Sequence, residues 1–272
     1  MKIFTLILTF VSILASSQTN RFIYEFKYKK DSLSDKIEKE EMVLDINDKE
    51  VQFYEFRALE IDSLNKNISG SSSYTFPFAK LKRNLASEKN MNYNFVADSY
   101  FAYESIDKMK WMIKSETKTK EKWKLQKAIT SFGGRIWEAW FTADIPYSEG
   151  PFKFRGLPGL IIELRDSKNN FSYELSRIEK PKDANPNIVE TLFKKKPLVL
   201  TDKKYRDVLI AHYNDPYARF RSMKPGTWSI GRDDDTYVET IEGLAKITKE
   251  EQENIRKNNN PIEIDNAVKY VK

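Results

Sequence analysis

The chain contains no cysteine and one histidine, His212, in 272 residues. Without cysteine there is no disulfide framework, thiolate nucleophile, cysteine-ligated zinc, iron–sulfur cluster or lipid anchor on a cysteine. A single histidine excludes any metal site built on two. Glycine and proline are scarce, at nine and ten. Past residue 14 no stretch approaches the ~18 consecutive apolar residues of a helical membrane span. Charge of one sign is in small excess, 46 Lys+Arg against 40 Asp+Glu. The basic residues are dispersed, apart from Lys194-Lys195-Lys196 and the alternating Lys118, Lys120, Lys122 and Lys124. A clustered stripe of the kind that binds nucleic acid is missing, so nucleic acid is not an expected partner. At 40% hydrophobic and 32% charged the composition is that of a globular protein.

What is present begins with an address. Lys2 precedes an apolar run over residues 3–14, and Ala15-Ser16-Ser17 follows with small side chains. This is the pattern of a secretory signal cleaved before Gln18. Twelve residues rise only about 18 Å as a helix against a hydrocarbon core of roughly 30 Å, which argues against a retained anchor. The expectation is an exported protein, periplasmic or extracellular, not a lipoprotein, with residues 18–272 in one α+β domain.

Hydrophobic periodicity of two dominates up to residue 178. Phe22, Tyr24, Phe26 and Tyr28 alternate with Ile23, Glu25, Lys27 and Lys29, and strands are expected again over 42–46 and 51–56. A short helix and a serine-rich loop at 69–73 follow. Strands return over 92–103, 111–118, 123–129, 135–142, 159–166 and 171–178, the last two joined by a turn at 167–170. Connections this short leave little room for crossover helices. The sheet is therefore expected to be mostly antiparallel and curved, an open or partial barrel, with one aromatic face and one basic, wet face. From about residue 181 the chain turns helical and irregular. Thr201-Asp202 caps an expected helix over 203–220, with a short helix near 249–257.

Residues 133–159 stand out. Gly133, Gly134, Gly150, Gly156, Gly159, Pro146, Pro151 and Pro158 fall there, and Trp111, Trp123, Trp137 and Trp140 lie in it or just before it. Glycine permits positive φ and proline fixes φ, so this reads as a rigid, shaped loop beside large aromatics. Such loops serve as sheet corners or as binding sites. As a site, its candidate ligand or partner contacts are Arg135, Trp137, Trp140, Lys153, Arg155, Gly156 and Pro158, with Arg135, Lys153 and Arg155 as a basic rim.

The hexapeptide Gly156-Leu157-Pro158-Gly159-Leu160-Ile161 resembles the motif that names the GLPGLI family of exported bacterial proteins. Gly134-Arg135, Trp137, Ala139-Trp140-Phe141-Thr142 and Ile145-Pro146 resemble the same pattern, as do Lys127-Ala128 and Asn260-Pro261-Ile262-Glu263. The resemblance implies export and a setting beside outer-membrane receptors. It supplies no activity and no catalytic residues.

Catalytic signatures are scarce. His212 shares a helical face with Tyr205, Val208 and Leu209 and reads as a packed histidine. There is no G-x-S-x-G elbow, P-loop or dinucleotide fingerprint. Asp233-Asp234-Asp235 lacks the spacing of a calcium loop. No cofactor or metal is expected. Two readings of function remain. The first is a non-catalytic envelope protein that binds a hydrophobic or amphipathic small molecule or an envelope partner, such as an outer-membrane receptor. The alternative is a carboxylate-based hydrolase, with Glu138 and Asp144 as its acids.

Overall fold

The computed structural model describes residues 18–67, 78–224, 226–232 and 235–271. The expected signal, the serine-rich loop and two of the three aspartates at 233–235 lie outside them.

Strands β1 (Asn20–Tyr28), β2 (Glu38–Ile46) and β3 (Glu50–Glu55) lead into helix α1 (Arg57–Asn67). Strands β4 (Lys80–Asn84), β5 (Lys89–Val96), β6 (Ser99–Ile106), β7 (Met112–Lys120), β8 (Trp123–Phe132) and β9 (Arg135–Thr142) follow. Then come β10 (Leu160–Asp166), β11 (Phe171–Glu179), β12 (Leu198–Leu200), and helices α2 (Asp202–Asn214), α3 (Ala218–Arg221) and α4 (Ile241–Lys257). One sheet joins these twelve strands in the order β12-β6-β5-β4-β3-β2-β1-β11-β10-β9-β8-β7, and Ile230–Gly231 pairs with Tyr237–Val238 apart from it. Each neighbouring pair is antiparallel except β12 on β6, which is parallel. The sheet is curved and does not close. Pairing of β1 with β11, Phe26 opposite Tyr173, joins the first run of strands to the second.

The alternation in β1 does what it implies. Phe22, Tyr24, Phe26 and Tyr28 enter the large core with Met42, Leu44, Phe53, Trp137, Phe171 and Tyr173. Burial of such aromatics at about 25 cal/mol per Å² is the main stabilising term. The opposite face departs from the expected wet surface. There Ile23, Val43 and Tyr54 form a second core with Ala58 and Ile61 of α1 and with Ile188, Val189 and Leu192. On that face Ile23, Val43 and Tyr54 lie opposite one another across β1–β3, an apolar row among charged neighbours that must be covered. Across β8–β10 the outer face is charged as expected: Lys127 pairs with Glu138 at 2.9 Å and Arg165 with Glu138 at 2.8 Å.

Two helices differ from their sequence reading. The helix expected over 203–220 stops at Asn214, because Asp215 precedes Pro216 and takes a non-helical conformation (φ −143°, ψ 82°). The chain resumes as α3. Helix α4 begins at Ile241, well before 249, since the Thr240 side chain accepts from the Gly243 N–H at 3.1 Å and Leu244 and Ile247 are buried beside Trp228.

Candidate functional site

Residues 143–159 fold back over the large core as an ordered loop between β9 and β10. Gly156 N–H donates to Ser148 O at 2.9 Å, Leu160 N–H to Ile145 O at 3.1 Å, and Ile161 N–H to Glu149 O at 3.0 Å. Gly159 has φ +147°, and a Cβ there would sit 2.0 Å from Thr142 O, so only glycine lets these backbones meet. Phe152, Phe154 and Leu157 are buried, with the Phe154 ring 4.6 Å from that of Trp137. Beneath the loop Arg83 pairs with Glu149, both buried, and Arg83 Nη1 donates to Phe152 O at 3.3 Å.

The loop sets Lys153 between two carboxylates. Its Nζ lies 3.1 Å from Asp107 Oδ1 and 2.7 Å from Glu263 Oε1, with the side chain 3% exposed. Asp107 also accepts from Ser105 Oγ and from Asn90 Nδ2 at 2.8 Å. The C-terminal segment that brings Glu263 is held by Arg135. This guanidinium lies 4.7 Å over the Phe171 ring. It donates to Asn260 Oδ1 at 2.6 Å, Pro261 O at 2.8 Å and Ile262 O at 3.1 Å, and pairs with Asp166 at 3.3 Å. Ile264 N–H donates to Gly133 O at 2.7 Å, and a Cβ on Gly133 (φ +62°) would lie 2.8 Å from the Glu263 Cα. The Gly133-Gly134-Arg135 turn is therefore the seat of Asn260-Pro261-Ile262-Glu263.

Together these elements enclose a cavity of about 850 Å³. Its floor is aromatic and apolar: Tyr28, Met42, Phe53, Phe171 and Tyr173 from the sheet, with Phe152 from the loop. Its walls are the end of β6 (Tyr103 to Asp107), α2 (Tyr205, Arg206, Leu209) and the C-terminal segment. The volume is within the range of small-molecule sites, roughly 300–1,000 Å³.

Of the seven candidate contacts from the sequence, only Lys153 lines this cavity. Arg135 acts on it through the C-terminal segment. Trp137 is fully buried beside Phe154. Trp140 lies on the outer face, with Lys118 Nζ 4.4 Å from its ring centre. Arg155 Nη2 donates to Ser87 O at 2.8 Å, while Gly156 and Pro158 are exposed away from the cavity. The expected basic rim is corrected: Arg135 and Lys153 are buried and paired, Lys153 between two carboxylates and Arg135 among Asp166, Asn260 and two backbone carbonyls. The sequence reading gave no site role to Asp107, Glu263, Tyr103, Tyr173, Tyr205 or Arg206. Their separations along the chain carry no signal of convergence; the apolar spacing of Tyr173 and Tyr205 marks burial only.

Glu138 and Asp144 do not converge either. Burial alone would raise the Glu138 carboxyl, but Lys127, Trp140 and Arg165 outweigh it and hold it below the ordinary range. Asp144 is exposed at the loop entrance. His212 is half-buried on α2, and burial lowers its pKa against the opposing charge of Glu251. Among the described residues no three acids or histidines gather as a metal site, and no helix is long and apolar enough to cross a membrane.

Comparisons with known proteins give a family match over part of the chain and a likeness of fold. The model of the family described as "Protein of unknown function (Porph_ging)" matches residues 84–163, which run from the end of β4 through the loop into β10. No curated protein matches. Two crystal forms of PNGF-II are similar in structure. One has a TM-score of 0.53 at 19% identity, the other 0.52 at 18%. Each comparison covers 71% of this chain and 33% of the PNGF-II chain, so the chain spans about a third of that protein's length. At such identity the likeness is one of fold.

Proposed function

We propose that this chain is an exported, non-catalytic envelope protein that takes a hydrophobic or amphipathic molecule into the cavity between sheet, loop and C-terminal segment. The observation that carries the reading is the aromatic floor under about 850 Å³ of open space, walled by elements from four separate parts of the chain. A ligand that covers the apolar surface the cavity still presents is bound by the same term that buries a core. Export and the GLPGLI assignment belong to the same proposal, the first supported by the pattern of residues 1–17 and the second by the central hexapeptide, which lies within the matched family region.

The test is native mass spectrometry of the protein purified from its own envelope fraction, beside an Ala267→Trp variant that fills the cavity wall. A bound organic molecule in the first and its loss in the second are expected. Equal loading of the two would refute cavity binding. N-terminal sequencing of the same material should begin at or near Gln18; a chain retained with Met1 in the cytosol would refute export.

A carboxylate hydrolase remains the second reading, favoured by the meeting of Asp107 and Glu263 at the cavity wall. Lys153 lies between them and is bonded to both, as in a buried structural triad.

A further inference from the structure

Eight tyrosines are buried among the described residues: Tyr24, Tyr28, Tyr54, Tyr93, Tyr100, Tyr173, Tyr205 and Tyr213. Six of them bond their hydroxyl to the protein. Tyr24 donates to Ile161 O, Tyr28 to Glu38, Tyr54 to Asp45, Tyr93 to Glu190, Tyr100 to Val189 O and Tyr213 to Val271 O. This is the ordinary behaviour of a buried phenol. Tyr173 and Tyr205 are the exceptions, at 2% and 9% exposure, and both line the cavity. Neither oxygen is sealed among protein atoms, so each reaches the open space. Tyr173 is locked in place by its ring, stacked 4.2 Å from Phe26 and edge-on to Phe53 at 6.1 Å. Tyr205 is stacked 4.6 Å from Tyr103.

The charges around the cavity are, by contrast, already matched. Lys153 has Asp107 and Glu263, Arg206 has Asp202 at 2.8 Å, Lys30 has Glu38 at 2.7 Å, and Lys29 lies 3.7 Å from Asp35. An anionic head group would have to displace a carboxylate from one of these cations. A neutral acceptor oxygen displaces nothing, since the two phenols have no protein partner to give up.

From these facts we infer that the cavity's ligand is an uncharged, largely apolar molecule whose carbonyl or ether oxygen accepts a hydrogen bond from Tyr173 or from Tyr205. This deepens the binding reading above and rests on it. The floor supplies non-directional affinity, and the hydroxyl supplies orientation and selection for an oxygen-bearing molecule over a hydrocarbon of the same shape. Burial first, with Tyr270 nearby in the case of Tyr205, holds both phenols above their ordinary pKa, so they remain donors throughout the physiological range.

The test uses three naphthalenes of nearly the same shape and the full chain stripped of copurified molecules. Acetylnaphthalene carries a carbonyl acceptor, isopropenylnaphthalene has none, and naphthoate is an anion. Calorimetric titration should show the ketone bound about five-fold tighter than the hydrocarbon, the size of one net hydrogen bond, with naphthoate weakest. In the Tyr173→Phe, Tyr205→Phe double variant the two neutral probes should bind equally, with hydrocarbon affinity unchanged. The melting temperature of that variant without ligand should not fall, because neither hydroxyl has a protein partner. Equal binding of ketone and hydrocarbon by the wild type, or a ketone preference that survives in the double variant, would overturn this inference and leave the cavity reading standing. Tightest binding of naphthoate would overturn its uncharged character. A drop of more than about 3 °C in the double variant would place the hydroxyls in the protein's own network and overturn the premise. Failure of all three probes to bind would refute the cavity reading as well.

Discussion

Two glycines three residues apart separate backbone strain from steric exclusion. Gly156 has φ +97°, and a Cβ there would meet its first neighbour only at 4.0 Å, on Trp111. Gly159 has both positive φ and a carbonyl 2.0 Å from where its Cβ would lie. Gly156→Ala is therefore expected to lose about 1–3 kcal/mol, the price of a strained backbone alone. Gly159→Ala should lose more than about 4 kcal/mol or fail to fold, because β9 and the loop must part. Urea denaturation of the pair checks it; equal losses would refute the distinction. Lys153 makes a second residue-scale case. Lys153→Met leaves two largely buried carboxylates facing one another and should lose about 3–5 kcal/mol. Adding Asp107→Asn and Glu263→Gln should return most of that. No recovery would mean that the lysine's packing, not its charge, matters. The positions of these glycines were legible from composition. The role of Lys153 was not, since a lysine two residues from an arginine in a loop reads as solvent-facing until Asp107 and Glu263, far away in the chain, are brought to it.

At the scale of elements, the loop and the C-terminal segment are coupled through Arg135. Three of its hydrogen-bond acceptors lie in residues 260–262, and its guanidinium lies 4.7 Å over the Phe171 ring. Arg135→Ala should release the segment while leaving β9 and β10 paired. Hydrogen exchange is the measurement: amides from 262 to 265, including the Ile264 N–H on Gly133 O, should exchange at least ten-fold faster, and those of β10 should not. Uniform acceleration across both would show that the arginine stabilises the sheet as a whole. The strands themselves were readable wherever apolar residues alternate. The short β12 was not, because Leu198 and Val199 stay exposed and its three residues pair with β6 only after the chain has passed behind the sheet.

For the whole molecule, paired carboxylates set the acid limit. The Lys30 hydrogen bond, with Lys36 and Tyr28 and against some burial, lowers the Glu38 pKa to about 2. Glu163, held by Lys118 and Lys120 against burial, and Glu138 are lowered too. A depressed folded-state pKa contributes stability that is present above the unfolded value near 4.5 and lost as pH falls toward the folded value. The midpoint of urea unfolding should therefore hold above about pH 5 and fall steadily between about 4.5 and 2. Glu38→Gln should flatten part of that fall, by on the order of 1 kcal/mol, Glu38 being partly exposed. A midpoint independent of pH across this window would refute the linkage.

Local chemistry by itself determined the alternating aromatic strands, the antiparallel pairing that short connections demand and the ordered Gly/Pro loop. Each of these depends on neighbours within a few residues, where periodicity, φ restrictions and capping act. Tertiary structure decided the second core over β1–β3, the burial of Arg135 and Lys153, and the cavity. A charged side chain's fate depends on which carboxylate the fold carries to it. The phenols of Tyr173 and Tyr205 follow the same rule: their spacing in the sequence says only that the rings are buried, and whether the oxygen meets a protein acceptor or open space is set by segments more than fifty residues away.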